Sequence, residues 1–116
     1  SSSVVWAHTK LPAAHDCIVE EWSFVVQGMG AAGNSIRATL EYNTGAGWVA
    51  WNQIQLTADP AAPTTTPQIG TDTPTFPNIA GGAQMRISLA PPAAGAYTNL
   101  RGVTAVIHLK QIVKEA

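Results

Sequence analysis

The sequence predicts an all-β fold, namely an antiparallel β-sandwich of jelly-roll type with six to eight strands and one long loop rich in proline and threonine. Three observations predict this class. Apolar and polar residues alternate with a period of two along most of the chain. Glycine and proline separate the alternating runs. An amphipathic helical pattern is missing from every segment. A partly closed barrel is the alternative architecture.

The length indicates one domain, residues 1–116, with a mass of 12.1 kDa. A chain of this size can bury a stable core without disulfide bonds. Cys17 is the only cysteine, so an internal disulfide framework is excluded, and we expect Cys17 to be a small buried apolar residue.

The alternating runs predict where the strands lie. Strands are expected near residues 4–10, 17–27, 35–43, 47–57, 84–90 and 101–113, with one or two short strands inside 64–80. The run at 17–27 is apolar on both faces, which is typical of a central strand or of one covered on both sides. In the run at 47–57, Trp48 shares a face with Ile54 and Leu56 and is expected in the core, whereas Trp51 falls on the opposite face.

The segments between the strands carry turn chemistry. The glycines of segment 28–34 have the spacing of a dinucleotide-binding loop. Such a loop must be followed by a helix, but a strand pattern follows this segment, so we interpret it as a turn. The sequence Asn-Thr-Gly-Ala-Gly at 43–47 joins two alternating runs and predicts a hairpin. The paired prolines within 90–97 end a strand, since proline cannot donate to a central ladder.

The segment 57–83 is the most unusual part of the chain, because it contains five of the eight prolines in the whole sequence. Loops of this length in compact domains are usually functional or disordered. Because Ile69, Phe76 and Ile79 are apolar anchors that a linker lacks, the segment is either a crossover packed on its own sandwich or an arm that reaches a neighbouring subunit. Residues 1–10 are a candidate N-terminal arm anchored by Trp6.

The low charge of the chain restricts its partners. Charged residues make up 11% of the sequence, against about 25% in ordinary soluble domains. Basic residues do not cluster and the net charge is −1, so we expect no nucleic-acid partner. Long apolar stretches are missing, so we expect no membrane partner. A weakly charged surface resists self-association poorly, and we infer that much of it faces other protein.

The sequence offers no machinery for catalysis. Glu20 and Glu21 point to opposite faces of a strand and cannot cooperate as an acid/base pair. The histidines His8, His15 and His108 lack the short spacing of a zinc site. We therefore expect a protein that is not an enzyme and has no catalytic residue, cofactor or metal.

Exposed aromatic and amide side chains supply the candidate binding residues. Tryptophan offers a large contact area at low entropic cost, both in protein interfaces and in carbohydrate stacking. The candidates for a partner interface are Trp6, Trp51, Gln53, Ile69, Phe76 and Ile79. The alternative is a glycan platform formed by Trp51, Gln53, Gln55, Asn43 and Asn52.

The stretch ATLEYNTGAGWVAWNQIQL, residues 38–56, resembles the hairpin of small β-sandwich decoration (cement) proteins of tailed-phage heads. The resemblance implies a homotrimer that binds the major capsid protein and stabilises the head lattice. It also implies a location on the capsid surface of the virion after synthesis in the host cytoplasm. We therefore expect a structural virion protein. The alternative is a carbohydrate-binding or host-adhesion module that uses Trp51.

Overall fold

The computed structural model describes residues 4–11, 15–73, 78–91 and 99–112, and every regular element in these ranges is a β-strand. The strands are β1 (Val4–Lys10), β2 (Asp16–Gly28), β3 (Ser35–Asn43), β4 (Trp48–Thr57), β5 (Gln68–Asp72), β6 (Gln84–Ala90) and β7 (Arg101–Ile112). The described part of the chain accordingly contains no helix that is long and apolar enough to cross a membrane.

The strands form two antiparallel sheets. Sheet A has the strand order β1-β6-β3-β4, and sheet B has the order β5-β2-β7. The all-β prediction is confirmed, and the two sheets are consistent with a β-sandwich. The expected strands appear within a few residues of their predicted limits, including one short strand, β5, inside the long proline-rich segment. β2 is the central strand of sheet B, as the apolar character of both its faces predicted.

The apolar core lies between the sheets. Its largest fully buried side chains come from both sheets, the turn after β2 and the segment before β6: Trp22, Phe24, Met29, Ile36, Leu40, Ile79 and Met85. Burying one such side chain contributes about 1.5–3 kcal/mol relative to leaving it in water. Cys17 is fully buried among them, as expected of a small apolar residue.

Three β-bulges interrupt the strand pairing, and Trp6, Glu20 and Trp51 are the extra residues at them. A bulge inserts one residue into one strand and so reverses which side chains face inward beyond it. The bulge at Trp51 makes the prediction for Trp48 wrong. Trp48 lies opposite Asn43 on the outer face of sheet A, whereas Trp51 packs against the core.

The described part of the long segment packs on its own chain. The Met29 amide donates to the Pro63 carbonyl at 3.0 Å, and β5 pairs with β2. Ile79 is fully buried and exchanges two backbone hydrogen bonds with Cys17, each 2.8 Å long. The prediction that Ile79 contacts a partner is therefore wrong, because its side chain completes the core beneath Cys17. Phe76 lies outside the described residues.

Candidate interaction surfaces

The outer face of sheet A carries the one salt bridge found among the described residues. The Arg86 guanidinium donates from Nε to Glu41 Oε1 at 3.0 Å, and the Ser88 hydroxyl donates to the same oxygen at 2.5 Å. The guanidinium also lies 4.0 Å from the centre of the Trp48 ring, within range of a cation–π interaction. His8 meets the edge of that ring at a centroid distance of 5.5 Å. We call these five residues the Arg86 cluster.

Strand register explains why these residues meet. Glu41 of β3 and His8 of β1 both lie directly opposite Arg86 of β6, so all three side chains project from the same face. Trp48 joins them only because the bulge in β4 turns it outward. Within the cluster the carboxylate and the guanidinium neutralise each other, so the arrangement stabilises the outer face of sheet A rather than activating a nucleophile.

The Glu41 carboxyl is the titrating group of this cluster. Burial raises its pKa, but the hydrogen bonds from Arg86 and Ser88 and the positive charge of Arg86 outweigh burial and hold the pKa below the ordinary value of 4.5. A carboxyl with a lower pKa in the folded state stabilises the fold fully above its unfolded pKa. That contribution is lost as the pH falls through the folded pKa.

Glu41→Gln is expected to be less stable than the wild type by about 1–2 kcal/mol at neutral pH, since it removes the charge from two hydrogen bonds and an ion pair. The difference between the two proteins should begin to shrink as the pH falls below 4.5, where Glu41 of the unfolded chain takes up a proton, and should vanish below the lower pKa of the folded state. Urea unfolding at a series of pH values measures it. A difference that stays constant down to about pH 3 would contradict this role of the carboxylate.

The proposed glycan platform is only partly assembled. Trp51 is half-buried, and its ring meets the Tyr42 ring at a centroid distance of 5.6 Å and an angle of 78°. Asn52 points into the protein, where its side-chain carbonyl accepts the Nε1–H of the buried Trp22 at 2.7 Å. The Asn43 side chain accepts the amides of the following turn. Asn43 and Asn52 thus have structural roles, and both side chains stay partly exposed, so their place in a glycan platform remains a prediction.

Gln53 and Gln55 remain exposed, as predicted. Gln53 donates from Nε2 to the Thr39 hydroxyl at 3.2 Å on the neighbouring strand. A shallow depression of about 260 Å³ lies at Trp51, lined by Ala50, Trp51, Asn52 and Gln53. The surface that could contact a sugar is therefore smaller than the sequence suggested.

The remaining interface candidates are Trp6 and Ile69. Trp6 is 37% exposed, and its ring meets the buried Phe24 ring edge to face at 5.8 Å. Ile69 is 67% exposed on the outer face of β5. Both side chains are accessible to a partner, but Trp6 also covers the core of its own chain.

Among the residues that the structure describes, the exposed large apolar side chains share one location, the edge strands of the two sheets. They are Val4, Val5 and Trp6 on β1, Val49 on β4, Ile69 on β5, and Val106 and Leu109 on β7. Sequence reasoning found only Trp6 and Ile69 among them, because alternation alone does not distinguish an edge strand from a central one. The signal available in the sequence was the absence of charge between Gly102 and Ile107.

A larger depression than the one at Trp51 lies at the end of sheet B where β7 begins. It is formed by Gly28, Thr64, Asn99 and Arg101 and measures about 600 Å³, and Arg101 is the one charged side chain among the described residues of its lining. Groups of three or more histidine, cysteine, aspartate or glutamate side chains that could hold a metal ion are absent from the residues the structure describes.

Similarity to other proteins adds no family assignment. No protein-family model matches the chain, and neither a curated protein nor a solved structure does.

Proposed function

We propose that the chain is a structural, non-catalytic protein that decorates a tailed-phage head as a homo-oligomer bound to the major capsid protein. The observation that carries this proposal is the position of seven exposed large apolar side chains on the edge strands, in a chain with only 11% charged residues. Exposed apolar side chains concentrated in patches mark protein–protein contacts. Such a surface suits a subunit that stays inside an assembly.

The proposal includes a jelly-roll topology for the two sheets. Strand pairs β1–β6, β2–β5 and β3–β4 are nested around the β3–β4 turn, which is the pairing of a long hairpin rolled into two sheets. β7 extends this pattern by adding to β2. Jelly rolls are common among virus capsid proteins, so the nested pairing favours a shell component.

In the hairpin that resembles phage decoration proteins, each distinctive residue has a structural role. Asn43 accepts hydrogen bonds from the amides of Gly45 and Gly47, at 2.8 and 3.2 Å. Both glycines have positive φ, which other residues rarely adopt. Tyr42 packs on Trp51, and Trp48 packs on Arg86. The same residues would have these roles in any hairpin of this shape. The proposal that the partner is a phage head therefore depends on the resemblance of residues 38–56 to decoration proteins.

The mechanism would be stabilisation by bridging. Each copy buries part of its edge-strand surface against neighbouring copies and against coat subunits, and an interface of about 1,600 Å² is enough for an ordinary stable contact. Many copies bound to one lattice then act together, so that no single contact needs high affinity.

The test is cosedimentation of the purified chain with empty shells assembled from the coat protein of the same source. Saturable binding with a fixed ratio of chain to coat subunit, together with a raised melting temperature of the shell, is the expected result. Ala46→Glu, at the exposed tip of the β3–β4 turn and outside the strands, serves as a control that should bind as the wild type does. Binding that never saturates, or shells whose stability does not change, would sink the proposal.

A carbohydrate-binding or host-adhesion module is the second candidate, favoured by the depression at Trp51. Trp51→Ala alone is a poor test, because the ring also packs on Tyr42 and on the core. Gln53→Ala and Gln55→Ala leave the core intact, since both side chains are exposed. If this module is correct, Gln53→Ala should weaken glycan retention about tenfold without changing stability. Under the decoration proposal the wild type shows no glycan retention to lose.

A further inference from the structure

The sandwich has two lateral sides, each formed by one edge strand from each sheet. β4 and β5 form the first, where Ile54 of β4 lies against Gly70 of β5. β1 and β7 form the second, where Ala7 and His8 line a small cavity together with Ile107. We call them the β4/β5 side and the β1/β7 side.

Both sides expose large apolar side chains. The β1/β7 side carries five of them, and the β4/β5 side carries Val49 and Ile69. On β7 even the core-facing residues Val103, Ala105 and Ile107 remain half exposed, because no described strand lies beyond them in sheet B. A twelve-residue strand with a free edge is a surface that natural proteins usually cover.

The charges on the two sides are opposite in sign. β1 and β7 contain Lys10, Arg101 and Lys110, together with His8 and His108, and no acidic residue. β4 and β5 with the loop between them contain Asp59 and Asp72 and no basic residue. On the neighbouring central strands, carboxylates lie at Glu20 and Glu21 and a guanidinium lies at Arg37, each one strand further in.

Polar groups on the two sides also lie at matching heights along the strands. Arg101 pairs with Gly28 at one end of sheet B. Asp59 belongs to that end, because the preceding Ala58 binds Asn34, which in turn binds Met29. Lower down, Asp72 and Ile107 both lie opposite Trp22, so His108 sits within one residue of the height of Asp72.

We propose that the β1/β7 side of one copy of this chain packs against the β4/β5 side of a second copy. A rotation about an axis parallel to the strands preserves height, so it brings Arg101 towards Asp59 and His108 towards Asp72. Contacts between two different patches are heterologous, and they close into a ring when the rotation between copies closes, whereas a two-fold dimer uses one patch against itself. This inference rests on the proposed function, since it names the surfaces through which the decorating oligomer forms.

Two substitutions at exposed positions test the contact. Val106→Glu places an acidic group on the β1/β7 side, where it meets the aspartates of the next copy. Ile69→Lys places a basic group on the β4/β5 side. Each variant alone should be a monomer of 12.1 kDa, whereas the wild type and Ala46→Glu should have a mass several times larger. Circular dichroism checks that both variants fold.

Mixing the two variants distinguishes the heterologous contact from a self-complementary one. Val106→Glu keeps an intact β4/β5 side and Ile69→Lys keeps an intact β1/β7 side, so an equimolar mixture should restore the contact between these two sides. The expected product is a dimer of about 24 kDa, twice 12.1 kDa, or a larger oligomer where the introduced acidic and basic groups also attract each other, measured by light scattering at about 100 µM, where micromolar contacts are occupied. A variant that stays oligomeric alone, or a mixture that stays monomeric, overturns the proposal, as does a monomeric wild type.

The outcome is separable from that of the decoration proposal. A wild type that is monomeric in solution but saturates coat shells refutes the contact between copies and leaves decoration standing. An oligomer that assembles through these two sides but does not bind shells refutes decoration and leaves the contact standing.

Discussion

Gly70→Ala is expected to lower the free energy of unfolding by about 3 kcal/mol, more than is usual for adding one methyl group to a protein surface. β5 crosses close above β4, and a Cβ at Gly70 would overlap the Cγ2 methyl of Ile54 and lie 3.2 Å from Cδ2 of Leu56. Ile54 is buried and branched at Cβ, so it has little freedom to move aside. β5 would have to lift away from β4.

Urea unfolding of single and double variants measures this effect. Ile54→Ala removes the overlapping methyl and should make Gly70→Ala much less harmful, although Ile54→Ala itself costs about 2–4 kcal/mol by leaving a cavity. Ile54→Val is the matched control, because valine keeps both Cγ atoms on Cβ, including the methyl at the Cγ2 position, and should give no rescue. If the effects of Gly70→Ala and Ile54→Ala simply add, the close approach of β5 to β4 is not what requires glycine.

Trp22→Phe is expected to destabilise the chain by about 2–3 kcal/mol, since it shortens a fully buried ring and removes the Nε1–H that Asn52 accepts. The hydrogen bond joins the two sheets, with Trp22 on β2 and Asn52 on β4. Removing either partner leaves the other polar group without its partner between the sheets.

A double-mutant cycle isolates that hydrogen bond. Trp22→Phe, Asn52→Ala and the double variant should show a coupling free energy of about 1 kcal/mol, with the double variant less unstable than the sum of the single ones. Gln53→Ala, one residue along β4 and exposed, should change stability little and should show no coupling to Trp22→Phe. Additive single effects would show that the Trp22–Asn52 contact does not stabilise the fold.

Alternation predicted the strands and most of the core but could not predict the bulges. Residues such as Ile36, Ala38 and Leu40 follow a strict period of two and are buried as expected. At Trp51 the period breaks, and nothing in the local sequence marks the extra residue, because a bulge depends on the partner strand. The prediction therefore assigned Trp48 and Trp51 to the wrong faces of the strand.

The candidate surfaces were harder to predict than the core. Ile69 and Ile79 lie in the same proline-rich segment and were both interface candidates, but Ile69 is exposed whereas Ile79 is buried beneath Cys17. Whether an apolar residue is an anchor for its own fold or for a partner depends on long-range contacts. Asn52 illustrates the same limit, since its partner Trp22 is thirty residues away in sequence.

The nested strand pairing implies an order in which the strand pairs form during folding. The β3–β4 pair encloses only residues 44–47, whereas β2–β5 encloses 29–67 and β1–β6 encloses 11–83. Closing a longer loop loses more chain entropy, so the inner hairpin is favoured to form first and to bring the outer strands together in sequence. Folding then proceeds outward from the Asn43 turn, and its rate is sensitive to that turn in a way that the rate of unfolding is not.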